Sequence, residues 1–297
     1  MMSGKVLIAV SMLMLLCTGF QVSGQSRDTF CIPVKSLDED RLAFGPGESL
    51  DYEIHYRWKS INADVAKANV TLDTLTLNGV PVFHAKVFGR TARFYDIFFK
   101  VREQFETWFS RDGIVPQRFY RDSREGGYYS VNDYEYRRDG DEPRIIASLE
   151  TSRKGAWTET LPLTDCTFDL PALFYMARNM NFSKVRPNMK YPMTFVIDDD
   201  VTNVYFIWLG REKKYIKGIG TVKTMKFAAK LVAGEVFSGD TDMSLWVSDD
   251  ENRIPVCFEA PLKVGVASGR LTGWKTLKHP FDSLIEQNRY LWLKGLR

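Results

Sequence analysis

The strongest constraint on the fold is a repeated alternation of apolar and polar residues. It is first clear between residues 50 and 56, where every second side chain is apolar: Leu50, Tyr52, Ile54 and Tyr56. A period of two places successive side chains on opposite faces of a strand. The pattern therefore predicts a β-strand with one buried face.

The same alternation recurs along most of the chain. Predicted strands cover residues 65–77, 82–88, 104–109, 118–121, 128–136, 145–150, 191–197, 204–209, 220–231, 243–247, 254–259 and 269–274. Asn78-Gly79, between two of these runs, is typical of a two-residue hairpin turn. Strands at this even spacing predict an all-β fold, an antiparallel open or half barrel.

One segment, residues 168–180, has helical periodicity instead. Asp169 is a suitable N-cap, and Pro171 stands near the helix start, where its missing N–H has little effect. Four apolar residues fall at helical spacing on one face: Leu170, Leu173, Phe174 and Ala177. We expect the barrel to curl around this apolar helix, and these four residues are the candidate ligand-binding set.

Two further helices are predicted with weaker signals. Residues 94–101 form the first candidate. Residues 281–293 form the second, a minor terminal helix with Leu284, Ile285 and Leu291 on one side.

The N-terminus resembles a secretory signal peptide. Lys5 precedes an apolar run from Val6 to Cys17, and Val22-Ser23-Gly24 ends the segment with a small residue. The run is shorter than the roughly 20 apolar residues that span a bilayer. We expect cleavage after Gly24, an extended lead-in over residues 25–43, one β domain over residues 44–280 and a C-terminal helix or tail over residues 281–297.

Export predicts a soluble or peripheral periplasmic product. A lipoprotein anchored through Cys17 is the less favoured alternative, because Leu16 rather than a small residue precedes that cysteine. After cleavage, Cys31, Cys166 and Cys257 remain. Cys257 stands in an apolar strand and is expected to be a core thiol, whereas Cys31 and Cys166 either pair or stay reduced.

The chain resembles a family at four stretches. They are Phe44 to Tyr52, the block that combines Val101-Arg102-Glu103 with Pro116 to Phe119 and Glu125 to Tyr128, the helical segment from Asp169 to Arg178, and Leu245 to Val256. In order and spacing these stretches are similar to DUF3108, a Bacteroidetes-type family of exported bacterial proteins. The resemblance implies an exported, mostly β protein built as an open barrel around a helix. It brings no established activity and no catalytic residue.

The residues indicate no catalytic, metal or cofactor site. The chain has neither a Gly-x-Ser-x-Gly elbow nor a Ser-x-x-Lys motif, and His55, His84 and His279 are too far apart in sequence to suggest a zinc site. The acidic runs at 198–200 and 249–252 suit turns better than calcium loops. Glu103, Glu106 and Glu125 are nominal hydrolase carboxylates, for which a solvated or salt-bridged surface role is the expectation. A net charge of +3 without clustered Lys and Arg predicts no nucleic-acid binding.

Three functions remain open. The first is a non-catalytic binding protein of the cell envelope, which holds an apolar, lipid-like ligand or an envelope protein in its concave β surface. This interpretation rests on 20 Phe, 13 Tyr and 7 Trp, many of them in alternating strands. The second is a structural or interaction protein with a filled core, and the third is an envelope hydrolase with spatially assembled carboxylates. In any of these the protein is expected to be monomeric.

The C-terminal tail is a separate candidate for contact with a membrane or a partner. Tyr290, Trp292 and Lys294 combine aromatic rings with positive charge, as segments that dip into a membrane interface do. Membrane contact would then be peripheral. The same tail residues would equally suit capping of the open end of the barrel.

Overall fold

The computed structural model describes residues 39–140, 142–180, 184–230 and 242–287. Their architecture is one sixteen-stranded sheet. The strands are β1 (Ser49–Trp58), β2 (Ile61–Leu77), β3 (Val80–Thr91), β4 (Val101–Ser110), β5 (Pro116–Glu125), β6 (Tyr128–Arg137), β7 (Arg144–Thr151), β8 (Gly155–Pro162), β9 (Thr167–Phe168), β10 (Lys190–Ile197), β11 (Asp200–Ile216), β12 (Gly220–Lys230), β13 (Asp242–Ser248), β14 (Pro255–Pro261), β15 (Val266–Lys275) and β16 (Leu284–Gln287).

The sheet consists of two antiparallel meanders joined at a seam. Strands β1 to β8 follow one another in space, as do β10 to β15, and β1 pairs with β15 to join the two sets. The path ends at β8 on one side and β9 on the other, so the sheet is open. The predicted all-β open barrel is confirmed.

The hairpin prediction at residues 78–79 is also confirmed. Asn78 and Gly79 both have positive φ, 50° and 82°, and connect Leu77 to Val80 across the β2–β3 pair. Two left-handed central residues give a two-residue turn whose twist matches that of the flanking strands.

Two α-helices interrupt the described strands: α1 (Arg93–Asp96) and α2 (Leu170–Arg178); a short 3-10 turn at Glu39–Arg41 precedes the sheet. Helix α1 is a single turn, so the predicted helix over 94–101 is largely wrong, and Val101 already begins β4. The terminal helix prediction is wrong over its described part, because Leu284–Gln287 is a strand that pairs with β12. Residues 288–297 lie outside the described residues.

Helix α2 lies against β3, β4 and β10 and is fixed to the sheet by its N-cap. The buried Asp169 carboxylate accepts hydrogen bonds from Ala172 N at 2.9 Å, Thr107 Oγ1 at 3.0 Å and Tyr136 Oη at 2.9 Å. One side chain thus satisfies the helix terminus and bonds to two strands. The predicted cap is confirmed.

The main core joins α2 to both meanders. The Tyr175 ring lies 4.6 Å from the Phe44 ring and 5.7 Å from the Phe109 ring, centroid to centroid. Ala172 and Met176 are buried beside it. Side chains therefore fill the concave surface where the helix crosses it. Neither of the described helices is long and apolar enough to cross a membrane.

Candidate functional site

A large cleft lies on the outward face of the sheet. It has a volume of about 1160 Å³ and is bordered by β15, β1, β2, β3, β4 and β5, with Lys217 and Gly218 of the β11–β12 turn at its rim. Along β4 the buried side chains alternate with less buried ones, and the wall of the cleft takes the less buried set, such as Arg102 and Gln104. We call this cleft the outer cleft.

The carboxylates on the wall of the outer cleft already have partners. Arg270 contacts Glu53 of the wall and also, at 3.0 Å, Asp64 of β2, which does not line the cleft. Arg124 donates to Asp122 at 3.0 Å, and Asn69 donates to Asp51 at 2.8 Å. The bond from Arg270 is the main reason that the pKa of Asp64 falls to about 2. Arginine side chains therefore offset the charges of Glu53 and Asp122, whereas Asp51 keeps its negative charge.

Four basic side chains of the outer cleft have no such partner. Lys67, Arg90, Lys217 and Lys275 are exposed, and none forms a hydrogen bond or ion pair through its side chain with any described residue. Basic groups gathered in a cleft create a positive potential that raises the local concentration of anions. The outer cleft is therefore suited to an anionic group.

One aromatic side chain stands among these charges. Phe88 of β3 is 45% exposed and lies between its cross-strand neighbours Asn69 and Gln104. Its ring offers an apolar surface next to the charged groups. A ligand that combines an anionic group with a hydrocarbon or sugar face would match both parts of the wall.

The opposite, core-facing side of β4 and β5 carries a buried polar cluster. Arg121 is fully buried and donates to Asp198 at 2.8 Å, while its Nε lies 3.8 Å from Glu103 Oε2. Ser123 Oγ lies 2.5 Å from Glu103 and 3.3 Å from Glu125. Tyr134 donates to the Asp198 backbone oxygen at 2.8 Å. The cluster connects the β10–β11 turn to the wall of the barrel.

Burial shifts the pKa values of the carboxyl groups in this cluster. Loss of solvation raises the pKa of Glu103 to about 8, although Arg121 and Ser123 act in the opposite direction. The pKa of Asp198 is raised for the same reason, with Arg121 again opposing. Glu103 Oε2 has no hydrogen-bond partner. A carboxyl with these properties holds a proton near neutral pH.

The expectation of surface roles fails for two of the three nominal carboxylates. Glu103 is 2% exposed and Glu125 is 6% exposed. Both side chains fall at the inward-facing positions of the alternating strands β4 and β5. The neighbouring residues in the sequence did not indicate that these positions face inward. Glu106 does face outward and is salt-bridged, since His84 Nε2 lies 2.7 Å from it and Lys86 Nζ 3.7 Å from it.

The predicted ligand-binding face of α2 is the less buried face of the helix. Leu170 is 38% exposed, and Leu173, Phe174 and Ala177 are only partly buried against the core. The buried face carries Pro171, Ala172, Tyr175, Met176 and Arg178. The helical spacing was correct, but the more deeply buried face is the one that carries Tyr175 and Arg178. Ligand binding by the other face stays a prediction.

The other predicted residues are dispersed. His55 bonds to Asp64, and His279 bonds to the Leu42 carbonyl at 2.8 Å, so the histidines stay apart from one another. Within the described residues no group of three His, Cys, Asp or Glu side chains has the geometry of a metal site. Asp250 bonds to Ser248 and to the Asn252 amide, as expected for a turn. Tyr290, Trp292 and Lys294 lie outside the described residues.

Two of the four cysteines, Cys166 and Cys257, lie within the described residues. Cys257 is a buried free thiol, as predicted, and burial raises its pKa to about 11. Cys166 is disulfide-bonded. Cys17 and Cys31 lie outside the described residues, so the pairing of Cys31 with Cys166 stays a prediction.

The match to a family model decides the relationship of this chain to other proteins. The model of the protein family of unknown function DUF3108 matches residues 51–272, which is most of the sheet. The chain belongs to the DUF3108 family. This DUF3108 chain has no match among curated proteins.

Three solved structures are similar to this chain. A beta-barrel-like protein of the domain of unknown function DUF1849 from Brucella abortus matches with a TM-score of 0.51 at 11% identity, over 78% of this chain and 98% of that one. A predicted exported protein with a YmcC-like fold from Bacteroides fragilis NCTC 9343 matches with a TM-score of 0.35 at 10% identity, over 79% of this chain and 100% of that one. A predicted lipoprotein from Parabacteroides distasonis ATCC 8503 matches with a TM-score of 0.27 at 7% identity, over 79% and 98%. The first of these shows the barrel-like fold of the DUF3108 chain.

Sequence reasoning missed the outer cleft. Its four exposed basic residues without described partners come from strands β2, β3 and β15 and from one turn, and they are not clustered in the sequence. The alternation places Lys67 and Arg90 outward. That the two lie opposite each other follows only from the register, which pairs them directly.

Proposed function

We propose that this DUF3108 protein is a non-catalytic binding protein of the cell envelope, and that its outer cleft holds an anionic ligand. The observation that carries the proposal is a set of four basic side chains that have no partner among the described residues and share the cleft with one exposed aromatic ring. The predicted signal peptide supports the envelope location.

Packing of the core supports a ligand on the outer face rather than on the concave face. The Tyr175 ring packs between Phe44 and Phe109, so side chains occupy the space that an apolar ligand would need beside α2. The outer cleft is open to solvent and carries the unpaired charges. The ligand proposed here is therefore anionic, with at most a small apolar face.

Burial of the acids supports a non-catalytic role. A hydrolase of the kind considered from the sequence needs a carboxyl that reaches its substrate. Glu103 has the raised pKa of a general acid, but it is 2% exposed and faces the core. A substrate in the outer cleft would meet its backbone rather than its carboxyl.

Titration with two simple anions tests the proposal. Inorganic pyrophosphate and an oligogalacturonide are suitable probes, since they present phosphate and carboxylate charge respectively, and isothermal titration calorimetry at low salt measures their affinity. The variant Lys67→Glu/Arg90→Glu should weaken the better probe at least about tenfold and should reduce the salt dependence of binding.

A matched control makes the same change in net charge at another place on the sheet. Arg144→Glu/Lys154→Glu changes the charge by the same amount at exposed positions near the β8 end of the sheet. It should bind like the unmodified chain. If neither probe binds, or if both double variants lose affinity equally, the outer cleft is not an anion site.

The filled core favours one alternative function. A structural or interaction protein would need no ligand and would use its outer surface for a partner. Under that function, the probe affinities would be absent while the surface substitutions would weaken association with envelope proteins.

A further inference from the structure

The segment between β3 and β4 exposes an apolar cluster to solvent. Phe94 is 66% exposed, Ile97 80% and Phe98 50%. The Phe94 and Phe98 rings lie 5.9 Å apart, and Ile97 is adjacent to Phe98 in the chain, so the three exposed side chains belong to one short segment. We call this patch the α1 patch. Contiguous exposed apolar groups of this kind mark sites that bind another surface.

The backbone beneath the α1 patch is held in a defined shape. Phe98 N and Phe99 N both donate to the Tyr95 carbonyl, at 3.0 Å and 2.9 Å. The Asp96 carboxylate accepts two bonds from Arg102, at 2.9 Å and 2.6 Å. A segment anchored in this way presents its apolar side chains in advance of binding, so less ordering is needed when it docks.

Positive charge surrounds the α1 patch. Arg90, Arg93 and Lys100 are exposed, and their side chains have no hydrogen bond or ion pair with a described residue. The acid within the segment, Asp96, is neutralised by Arg102, and that bond lowers the pKa of Asp96 to about 2. The charge left around the patch is therefore basic.

Aromatic and aliphatic side chains ringed by Lys and Arg match one kind of surface. The hydrocarbon boundary of a bilayer accepts the apolar groups, and anionic lipid headgroups attract the basic ones. A lipid surface requires only protruding apolar groups and nearby positive charge, and the α1 patch offers both. From this complementarity we infer that the α1 patch docks the protein on a membrane surface that contains anionic lipid.

The inference goes beyond the proposed anion site. Arg90 contributes to both surfaces, but Phe94, Ile97 and Phe98 do not line the outer cleft. Substitutions confined to these three residues therefore separate membrane docking from binding of a small anion.

Vesicle sedimentation tests the inference with the full chain. The unmodified protein should sediment with vesicles of phosphatidylcholine and phosphatidylglycerol in equal parts, more weakly with phosphatidylcholine alone, and less as salt is raised. The variant Phe94→Ser/Ile97→Ser/Phe98→Ser should lose at least about tenfold in affinity for the mixed vesicles. Its binding of pyrophosphate should be unchanged.

Two control variants locate the effect. Val80→Ser/Leu209→Ser/Tyr215→Ser removes three exposed apolar side chains elsewhere, with exposures of 51%, 44% and 64%, and should sediment like the unmodified chain. Tyr290→Ser/Trp292→Ser alters the tail and should retain most binding. Near-ultraviolet circular dichroism checks that each variant is folded.

Several outcomes would overturn the inference. They are failure of the unmodified chain to sediment with the mixed vesicles, equal loss in the Val80 control, and loss in the tail variant while the α1 variant still binds. A further contrary result is a dimer in light scattering that the α1 variant converts to monomer without any vesicle binding, because the patch would then join two copies of the chain.

Discussion

Arg178 of α2 and Glu48, which precedes β1, form a buried ion pair through two parallel hydrogen bonds. Arg178 Nη1 lies 2.6 Å from Glu48 Oε1, and Nη2 lies 2.8 Å from Oε2. The same guanidinium donates to the carbonyls of Asn252 and Ala43, each at 3.0 Å. Arg178 thus ties the end of the helix to two distant parts of the chain, the segment before β1 and the β13–β14 turn.

Removal of one charge from this pair should destabilise the fold strongly. Glu48→Gln leaves a buried guanidinium without a counter-ion, and such changes cost about 3–5 kcal/mol. Urea denaturation measures the loss. Glu135→Gln, which alters an exposed pair with Arg137, should change the midpoint little. If Glu48→Met/Arg178→Met is as unstable as Glu48→Gln, the penalty comes from packing rather than from an unpaired charge.

The two faces of α2 should respond differently to truncation. Met176→Ala opens a cavity in the main core and should cost about 2–5 kcal/mol. Leu170→Ala, on the exposed face, should cost less than about 1 kcal/mol. Thermal or urea unfolding compares them. Equal losses would mean that the Leu170 face is as buried as the other.

The buried carboxyl of Glu103 should make stability fall with rising pH. Its pKa is about 8 in the folded protein against an ordinary 4.5, so the folded state holds the proton more tightly than the unfolded chain does. The stability that this group contributes is fully present below pH 4.5 and is lost as the pH rises towards 8.

Comparison with Glu103→Gln isolates this contribution. The neutral amide keeps a hydrogen-bond acceptor for Ser123 and does not titrate, so the difference in unfolding free energy between the two proteins should shift in favour of the variant as pH rises. Urea titrations at a series of pH values measure it. Parallel stability profiles would show that Glu103 is ionised in the fold.

The Cys257 thiol should be unreactive in the native protein. It is 8% exposed, and burial raises its pKa to about 11, so the nucleophilic thiolate is scarce at neutral pH. Iodoacetamide labelling followed by peptide mass spectrometry should modify Cys257 only slowly until denaturant is added. Rapid native labelling would place the thiol in contact with solvent.

The alternation in the sequence predicted most strands because one face of each is buried. It missed β8 (Gly155–Pro162), whose residues are mainly exposed and so lack an alternating apolar face. The predicted terminal helix was wrong because its sequence has an apolar helical face although the segment forms a strand. Leu284 and Ile285 fit a helical face, but pairing of this segment with β12 satisfies its backbone as a strand, and tertiary contacts override local propensity.

The candidate site was harder to predict than the fold. Lys67 and Arg90 are 23 positions apart in sequence and become neighbours only through the β2–β3 register. The charged residues of the outer cleft are spread over several strands. A charged residue and its partner can also lie on different strands, as Arg270 of β15 and Asp64 of β2 do. Only the order of strands in the sheet assembles them, and strand order cannot be read from alternation.

Pairing of β1 with β15 can occur only late in synthesis of the chain. Thr272 and Asp51, which bond across this seam, are 221 positions apart. The hairpins of the first meander can form as they emerge, but the edge of β1 stays open until nearly the whole domain has been delivered. An open edge strand invites pairing with other chains. A product truncated before β15 would keep that edge indefinitely, so such fragments should need a holding chaperone to stay soluble.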